Sequence, residues 1–148
     1  MSRRLLVVVL VAAFGASTAA VAMAATKGAG SPTSAVRLHY RNIHLGEFKT
    51  AWDLLTPAAK RKLGPYSKWK KGYGDTGQVT VSGLKRKGNT VRFTLTACRA
   101  GGRTGTIEEM FSVSWPTKKS RKRWYLSTGF KVKKTSQESV QRCMLPLP

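Results

Sequence analysis

The spacing of apolar residues divides the chain into a helical first half and a strand-rich second half. Between residues 34 and 63, apolar side chains recur every three or four positions, as they do on one face of a helix. Ser34 is a suitable N-cap for the first helix, and Thr56-Pro57 separates the second helix from a short third one at 58–63. The apolar faces of the first two predicted helices comprise Val36, Tyr40, Ile43, Phe48, Ala51, Trp52 and Leu55.

From residue 78 onward, apolar and polar residues alternate, which is typical of strands with one buried face. Four such segments are predicted, at 78–84, 90–98, 106–115 and 123–133. They are separated by a Gly88-Asn89 turn, a glycine-rich loop at 99–105 and a basic hairpin tip at 116–122. We therefore predict the α+β class, with N-terminal helices packed on a curved antiparallel sheet of about four strands.

The first 25 residues have the three parts of a secretory signal peptide. Arg3 and Arg4 precede an uncharged apolar run, and the small-residue stretch that follows contains Ala22-Met23-Ala24. An uncleaved membrane anchor is the alternative, because the run could just span a bilayer. The small residues of its second half favour cleavage, after Ala24 or Ala25. We therefore predict a protein that is secreted or extracytoplasmic, at the cell envelope.

The rest of the chain is predicted to form one domain with flexible ends. Residues 1–25 are the signal, 26–33 a flexible leader, 34–134 the folded domain and 135–148 a polar C-terminal tail. The two cysteines, Cys98 and Cys143, lie outside the signal. In an exported chain they are expected to form one disulfide that ties the tail back, although two free thiols remain the alternative. No matching histidine pair accompanies them, so neither a metal nor another cofactor is expected.

The helical segments and the sequence after them resemble the nuclear transport factor 2-like superfamily. The first helical hairpin carries the resemblance, through Ala35, Tyr40 and the stretch Gly46-Glu47-Phe48-Lys49-Thr50-Ala51-Trp52-Asp53-Leu54-Leu55-Thr56. It continues through Tyr66-Ser67-Lys68-Trp69, Gly72-Tyr73-Gly74-Asp75-Thr76, Val79-Thr80-Val81 and Trp124-Tyr125-Leu126. The resemblance covers residues 34–132 and implies an exported bacterial domain of cone shape with an apolar pocket.

That superfamily includes isomerases and dehydratases, so the resemblance makes acid–base catalysis a candidate function. The candidate acids and bases are His39, His44, Asp53, Asp75, Tyr40 and Tyr73. None of them forms a pair whose spacing requires catalysis, and each has a structural interpretation. We therefore predict no catalytic residues. Tyr40, His44 and Trp52 are the candidate lining of a small-ligand or isomerase-like pocket, which is the alternative function.

The positive charge of the chain indicates a different function. The chain has 27 basic and six acidic residues, and loss of the signal with Arg3 and Arg4 would leave a formal charge of +19. Such an excess creates a long-range positive field. The predicted polyanion-binding residues lie in the densest basic run, namely Lys118, Lys119, Arg121, Lys122 and Arg123.

Outside the cell, this field would attract anionic cell-wall polymers or lipid head groups. Nucleic acid is not expected, because no known nucleic-acid-binding motif is present. The leading hypothesis is therefore a noncatalytic exported binding or accessory domain, with an envelope protein as another conceivable partner. The sequence specifies no oligomeric state.

Overall fold

The computed structural model of the chain describes residues 28–100 and 106–140, apart from the side chains of residues 139 and 140. The predicted signal peptide at 1–25 lies outside the described residues, as does the C-terminal tail beyond residue 140, which includes Cys143. The secretion, cleavage and disulfide predictions therefore stay predictions.

Four helices come first along the described chain. They are α1 (Pro32–His44), α2 (Phe48–Asp53), α3 (Pro57–Leu63) and α4 (Tyr66–Lys71). Helix α1 begins earlier than predicted, because Ser31 rather than Ser34 is its N-cap: the Ser31 hydroxyl accepts a hydrogen bond from the Ser34 amide at 3.1 Å. Thr56 caps α3 in the same way. Helix α4 was not predicted.

Five strands follow and form one sheet. They are β1 (Thr76–Lys87), β2 (Thr90–Ala100), β3 (Thr106–Ser120), β4 (Arg123–Leu126) and β5 (Lys131–Val140). All pairs are antiparallel, in the order β1-β2-β3, and β3 pairs on its far side with both β4 and β5. The predicted segment 123–133 is thus two strands, and β5 continues into the predicted tail region.

Strand β3 exchanges partners at Pro116. Before this residue it pairs with β2 on one side and β5 on the other, and after it β3 pairs with β4. Beyond Pro116 the strand is held in place by Thr117, whose amide and hydroxyl both donate to the Asn89 carbonyl at 2.6 Å. The predicted hairpin tip at 116–122 is therefore mostly strand, and the turn between β3 and β4 contains only Arg121 and Lys122.

The last residues of the predicted flexible leader are part of the fold. Ala29 exchanges two backbone hydrogen bonds with Trp124 of β4, at 3.0 and 2.8 Å. A Cβ atom on Gly28 would lie 2.7 Å from both Arg123 Cβ and the Tyr125 ring, and its φ is +85°. Only glycine fits this position without a shift of its neighbours.

The core lies between the helices and one face of the sheet. Its larger members come from α1, α2, the residue Leu55 after α2, α4 and the strands β2, β3 and β4: Val36, Tyr40, Ile43, Trp52, Leu55, Trp69, Phe93, Val113, Trp115 and Leu126. The predicted α+β class, with helices on a curved antiparallel sheet, is confirmed. The opposite face of the sheet, here called the outer face, is turned away from the helices.

Candidate functional site

The predicted polyanion-binding residues surround the turn between β3 and β4. Lys118, Lys119, Arg121, Lys122 and Arg123 are all exposed. Within residues 28–100 and 106–140, no ion pair involves any of them. Arg121 and Lys122 have φ values of 45° and 65°, a left-handed conformation that turns of this length usually assign to Asn-Gly. The turn thus presents two cations where the backbone favours smaller residues.

A groove of about 710 Å³ lies on the outer face beside this hairpin. Its side chains are hydroxyls and cations, namely Lys87, Thr90, Arg92, Ser112, Ser114 and Lys131, together with Val113, Pro116 and Gly129. The strand register explains the arrangement, because Arg92 pairs with Ser114 and Ser114 pairs with Lys131. We call this the central groove.

The same row of residues extends to β1, where Lys85 pairs with Arg92. Two like charges directly opposite each other on neighbouring strands destabilise a sheet. The row Lys85, Arg92, Ser114 and Lys131 therefore crosses four strands and contains three cations and no acid.

A second groove, of about 530 Å³, lies between α3 and the β3–β4 hairpin. We call it the hairpin groove. Arg61 and Lys118 are its cations, and Ser120, Tyr125, Ser127 and Thr128 contribute hydroxyl groups. Among the residues that the structure describes, no carboxylate lines either groove. Both grooves can therefore donate hydrogen bonds to an anion without repelling it.

Two acidic residues are paired with other cations. The Asp53 carboxylate accepts hydrogen bonds from Lys49 at 2.8 Å and Lys60 at 3.3 Å. Glu109 accepts from Arg99 at 3.1 Å and from Lys134. None of these four cations lines the central groove or the hairpin groove.

These pairs keep both carboxylates ionised. Partial burial acts to raise the pKa of Asp53, but the hydrogen bonds from its two lysines outweigh burial and lower it. The hydrogen bond from Lys134 is the largest cause of the lowered pKa of Glu109. The carboxylates therefore neutralise cations outside the grooves.

A separate apolar pocket of about 580 Å³ lies where α1 ends and β1 begins. Its large apolar lining residues are Ile43, Phe48, Tyr66 and Tyr73. Of the three predicted pocket residues, only His44 lines it, and the His44 Nδ1 atom accepts a hydrogen bond from the Val79 amide at 3.3 Å. The prediction missed the other lining residues because they come from two separate stretches of the chain, 43–48 and 66–77, which only the fold brings together.

Tyr40 and Trp52 lie in the core instead of lining this pocket. Tyr40 packs against Phe93 with ring centroids 5.6 Å apart, and Trp52 packs against Trp69 at 5.0 Å. Burial raises the pKa of Tyr40 well above its ordinary value. The hydroxyl therefore stays protonated at neutral pH and is a poor base.

His39 is a buried residue whose role the sequence did not reveal. Its side chain is fully buried, and Nδ1 donates to the Ala51 carbonyl at 2.9 Å, which joins α1 to α2. Nε2 has no hydrogen-bond partner among the described residues, and the rings of Tyr40 and Trp115 lie at 5.1 and 5.3 Å. Burial lowers the pKa of His39 to about 4. Its spacing of three residues from Val36 was the available signal that it belongs to the core face of α1.

Neither a metal site nor a membrane-spanning helix is found in the described part of the chain. No group of three or more histidine, cysteine, aspartate or glutamate side chains among these residues could hold a metal ion. No helix among them is long and apolar enough to cross a bilayer.

Comparison with known proteins relates the chain to one solved structure. No protein-family model and no curated protein matches the sequence. The chain is similar to the solution structure of a SEC-C motif-containing protein from Rhodopseudomonas palustris. The two are 25% identical, the TM-score is 0.53, and the match covers 78% of this chain and 84% of that one.

The predicted membership of the nuclear transport factor 2-like superfamily is wrong. No family model matches, and the similar structure is described by a SEC-C motif rather than by that superfamily. The residues that carried the resemblance explain the error, since Ala35, Tyr40, Ala51 and Trp52 are all buried. These residues serve the packing of helices on a sheet, and unrelated proteins can share that kind of packing.

Proposed function

We propose that this chain is a noncatalytic binding domain that holds an anionic polymer along the outer face of its sheet. The row of Lys85, Arg92, Ser114 and Lys131 is the observation that carries the proposal. Juxtaposed cations on neighbouring strands weaken a sheet unless an anion lies between them. A polymer with regularly spaced phosphate or carboxylate groups supplies such anions.

The hairpin extends this surface toward the β3–β4 turn. Along β3, the central groove uses Ser112 and Ser114, and the hairpin groove uses Lys118 and Ser120. The two grooves therefore follow one another on the same strand. A linear ligand suits this arrangement better than a small compact anion, because it can contact both grooves at once.

The left-handed turn residues support the same function. Non-glycine residues at positive φ cost on the order of 1 kcal/mol each, and such strain is concentrated at functional sites. Arg121 and Lys122 thus hold charge at the hairpin tip at a cost to stability. Together with the predicted export of the chain, this favours an anionic cell-wall polymer as the ligand.

The test compares two triple variants that each remove three positive charges. The groove variant carries Lys87→Gln, Arg92→Gln and Lys131→Gln. The control carries Arg37→Gln, Arg41→Gln and Lys68→Gln, which are exposed helix residues that line neither groove. Retention on purified cell wall is measured as a function of salt concentration, with and without removal of the wall's anionic polymer.

The groove variant should lose about tenfold or more in affinity at low salt, and its log–log salt slope should fall by roughly two to three units. The control variant should keep most of the salt slope that the unaltered protein shows. Equal losses in the two variants would contradict a specific surface, because total charge alone would then explain binding. Absence of retention of the unaltered protein at low ionic strength would refute the function itself.

A further inference from the structure

We propose that the apolar pocket binds a small amphipathic anion, with an apolar body inside and a negatively charged group at the rim. The pocket is independent of the polymer surface, because among the described residues it shares no lining residue with the central groove or the hairpin groove. Its volume of about 580 Å³ is in the range of small-molecule sites, roughly 300–1,000 Å³.

The space exists because small residues surround it. Gly46, Ser67, Gly74 and Gly77 line the pocket and have little or no side chain to fill it. Gly46 has a φ of +73° at the end of α1, a conformation that larger residues adopt poorly. A larger residue there would strain the backbone, so the open space depends on the local chain geometry.

The aromatic wall of the pocket is supported from behind. The buried Trp69 side chain contacts Tyr73, Tyr66 and Phe48, with ring centroids at 5.2, 6.0 and 6.3 Å. The pocket wall is therefore an extension of the aromatic core. A wall held in this way is preorganised, so ligand binding loses little free energy to the ordering of these side chains.

The rim is positively charged. Lys70 and Lys71 line the pocket, and the Lys70 Nζ lies 5.6 Å from the centroid of the Phe48 ring. No acidic residue of the described chain lines it. Glu47 and Asp75 are chain neighbours of lining residues but do not line the pocket themselves, and Asp75 lies 3.9 Å from Arg99. An anionic group therefore complements the rim, and a cationic one does not.

His44 adds a hydrogen-bond donor to this rim. Its Nδ1 accepts from the Val79 amide, so in the neutral ring the proton resides on Nε2. Burial raises the pKa of Tyr73 to about 12, which keeps its hydroxyl protonated. None of the described lining residues is a carboxylate that could act as a general base. These groups suit binding rather than catalysis.

The experiment uses three probes with the same ten-carbon tail, decanoate, decanol and decylammonium, each below its micelle concentration. Amide chemical shifts are followed by NMR. We expect saturable shifts at Ile43, Gly46, Gly74 and Gly77, with affinity in the order decanoate, decanol, decylammonium. Decanoate should bind about fivefold to tenfold more tightly than decanol, as expected for a charge-assisted hydrogen bond at an exposed rim.

Two variants separate the apolar pocket from the charged rim. Ser67→Trp should fill the pocket and abolish binding of all three probes. Lys62→Trp, at an exposed residue that lines neither this pocket nor the two grooves, should leave binding unchanged. Replacement of Lys70 and Lys71 by glutamine should lower the affinity for decanoate to that for decanol. The affinity for decanol itself should not change.

Three results would overturn the proposal: no saturable shifts at these amides, unchanged binding in a folded Ser67→Trp variant, or equal affinities for decanoate and decylammonium. Wall retention of the same variants distinguishes this proposal from the polymer surface, because Ser67→Trp should bind cell wall normally.

Discussion

A single imidazole in the core makes the stability of this protein sensitive to mild acid. His39 is surrounded by aromatic rings of α1, α4 and β3, and its neutral form is the one that the core accommodates. Its pKa is about 4 in the folded protein, against about 6.5 in an unfolded chain. As the pH falls below 6.5, the unfolded state binds the proton first.

The contribution of His39 is therefore fully present above pH 6.5 and is lost as the pH falls toward 4. Between pH 7 and pH 5 the free energy of unfolding should fall by about 2 kcal/mol because of this residue. Urea unfolding, followed by tryptophan fluorescence at both pH values, measures this change in the free energy of unfolding. His39→Leu should remove this difference, whatever its effect on stability at pH 7. An unchanged difference in the variant would assign it to other groups.

Gly28 is a second residue whose contribution can be isolated. Gly28→Ala places a methyl group against Arg123 and Tyr125 and retains an unfavourable positive φ. We expect a loss of about 2–4 kcal/mol in the free energy of unfolding. Gly30→Ala is the matched control, because no atom of the described chain lies within 4 Å of its Cβ position. Similar stabilities of the two variants would show that Gly28 and Ala29 do not pack on β4 in solution.

At the scale of elements, the β3–β4 turn contains two charged residues in a left-handed conformation that lowers the stability of the protein. Replacement of Arg121-Lys122 by Asn-Gly supplies residues that favour the left-handed turn. The variant should be more stable by about 1 kcal/mol or more, and it should bind anionic cell wall more weakly. Thermal unfolding and wall retention are measured together. The control combines Arg121→Lys with Lys122→Arg, which keeps both charges and should change neither property greatly.

The elements whose starts are predicted best have either a long apolar period or a distinct start signal. Strand β2 begins at its predicted start because its apolar residues alternate regularly. Helix α3 begins within one residue of its predicted start because Thr56-Pro57 marks it. Helix α4 was missed because six residues with one buried side chain, Trp69, establish no period. The end of β3 was missed because Lys118 and Lys119 show no alternation, and pairing with β4 alone defines it as a strand.

The candidate sites were less predictable than the elements. The cations around the hairpin turn could be identified because five of them lie within six residues of the sequence. The central groove depends on the register that brings Arg92, Ser114 and Lys131 together, and register cannot be derived from residues taken one strand at a time. The apolar pocket depends on glycines from separate turns.

At the scale of the whole molecule, Cys98 is the residue through which the sheet is predicted to be tied to the C-terminal tail. Its register places it on the outer face, in line with Thr94 and Thr96, and yet it is buried. The predicted disulfide with Cys143 would close a loop of about 46 residues and stabilise the fold by about 4 kcal/mol in the chain-entropy model. Mass spectrometry of the intact and reduced protein tests for the bond.

The stabilities of three variants show whether this bond acts on folding. Cys98→Ser, Cys143→Ser and the double variant should be destabilised about equally, because loss of either sulfur breaks the same bond. Destabilisation by Cys98→Ser alone would indicate that burial of this side chain matters and that no disulfide forms.

The backbone bridge between Ala29 and Trp124 has a consequence for the order in which the protein folds. The sheet is a meander whose strands pair with near neighbours in sequence, so it can form at a small loop-closure cost. The bridge instead joins residues separated by most of the domain. We therefore expect the helical layer to close on β4 after the folding transition state, so that damage to this contact accelerates unfolding and leaves the folding rate nearly unchanged.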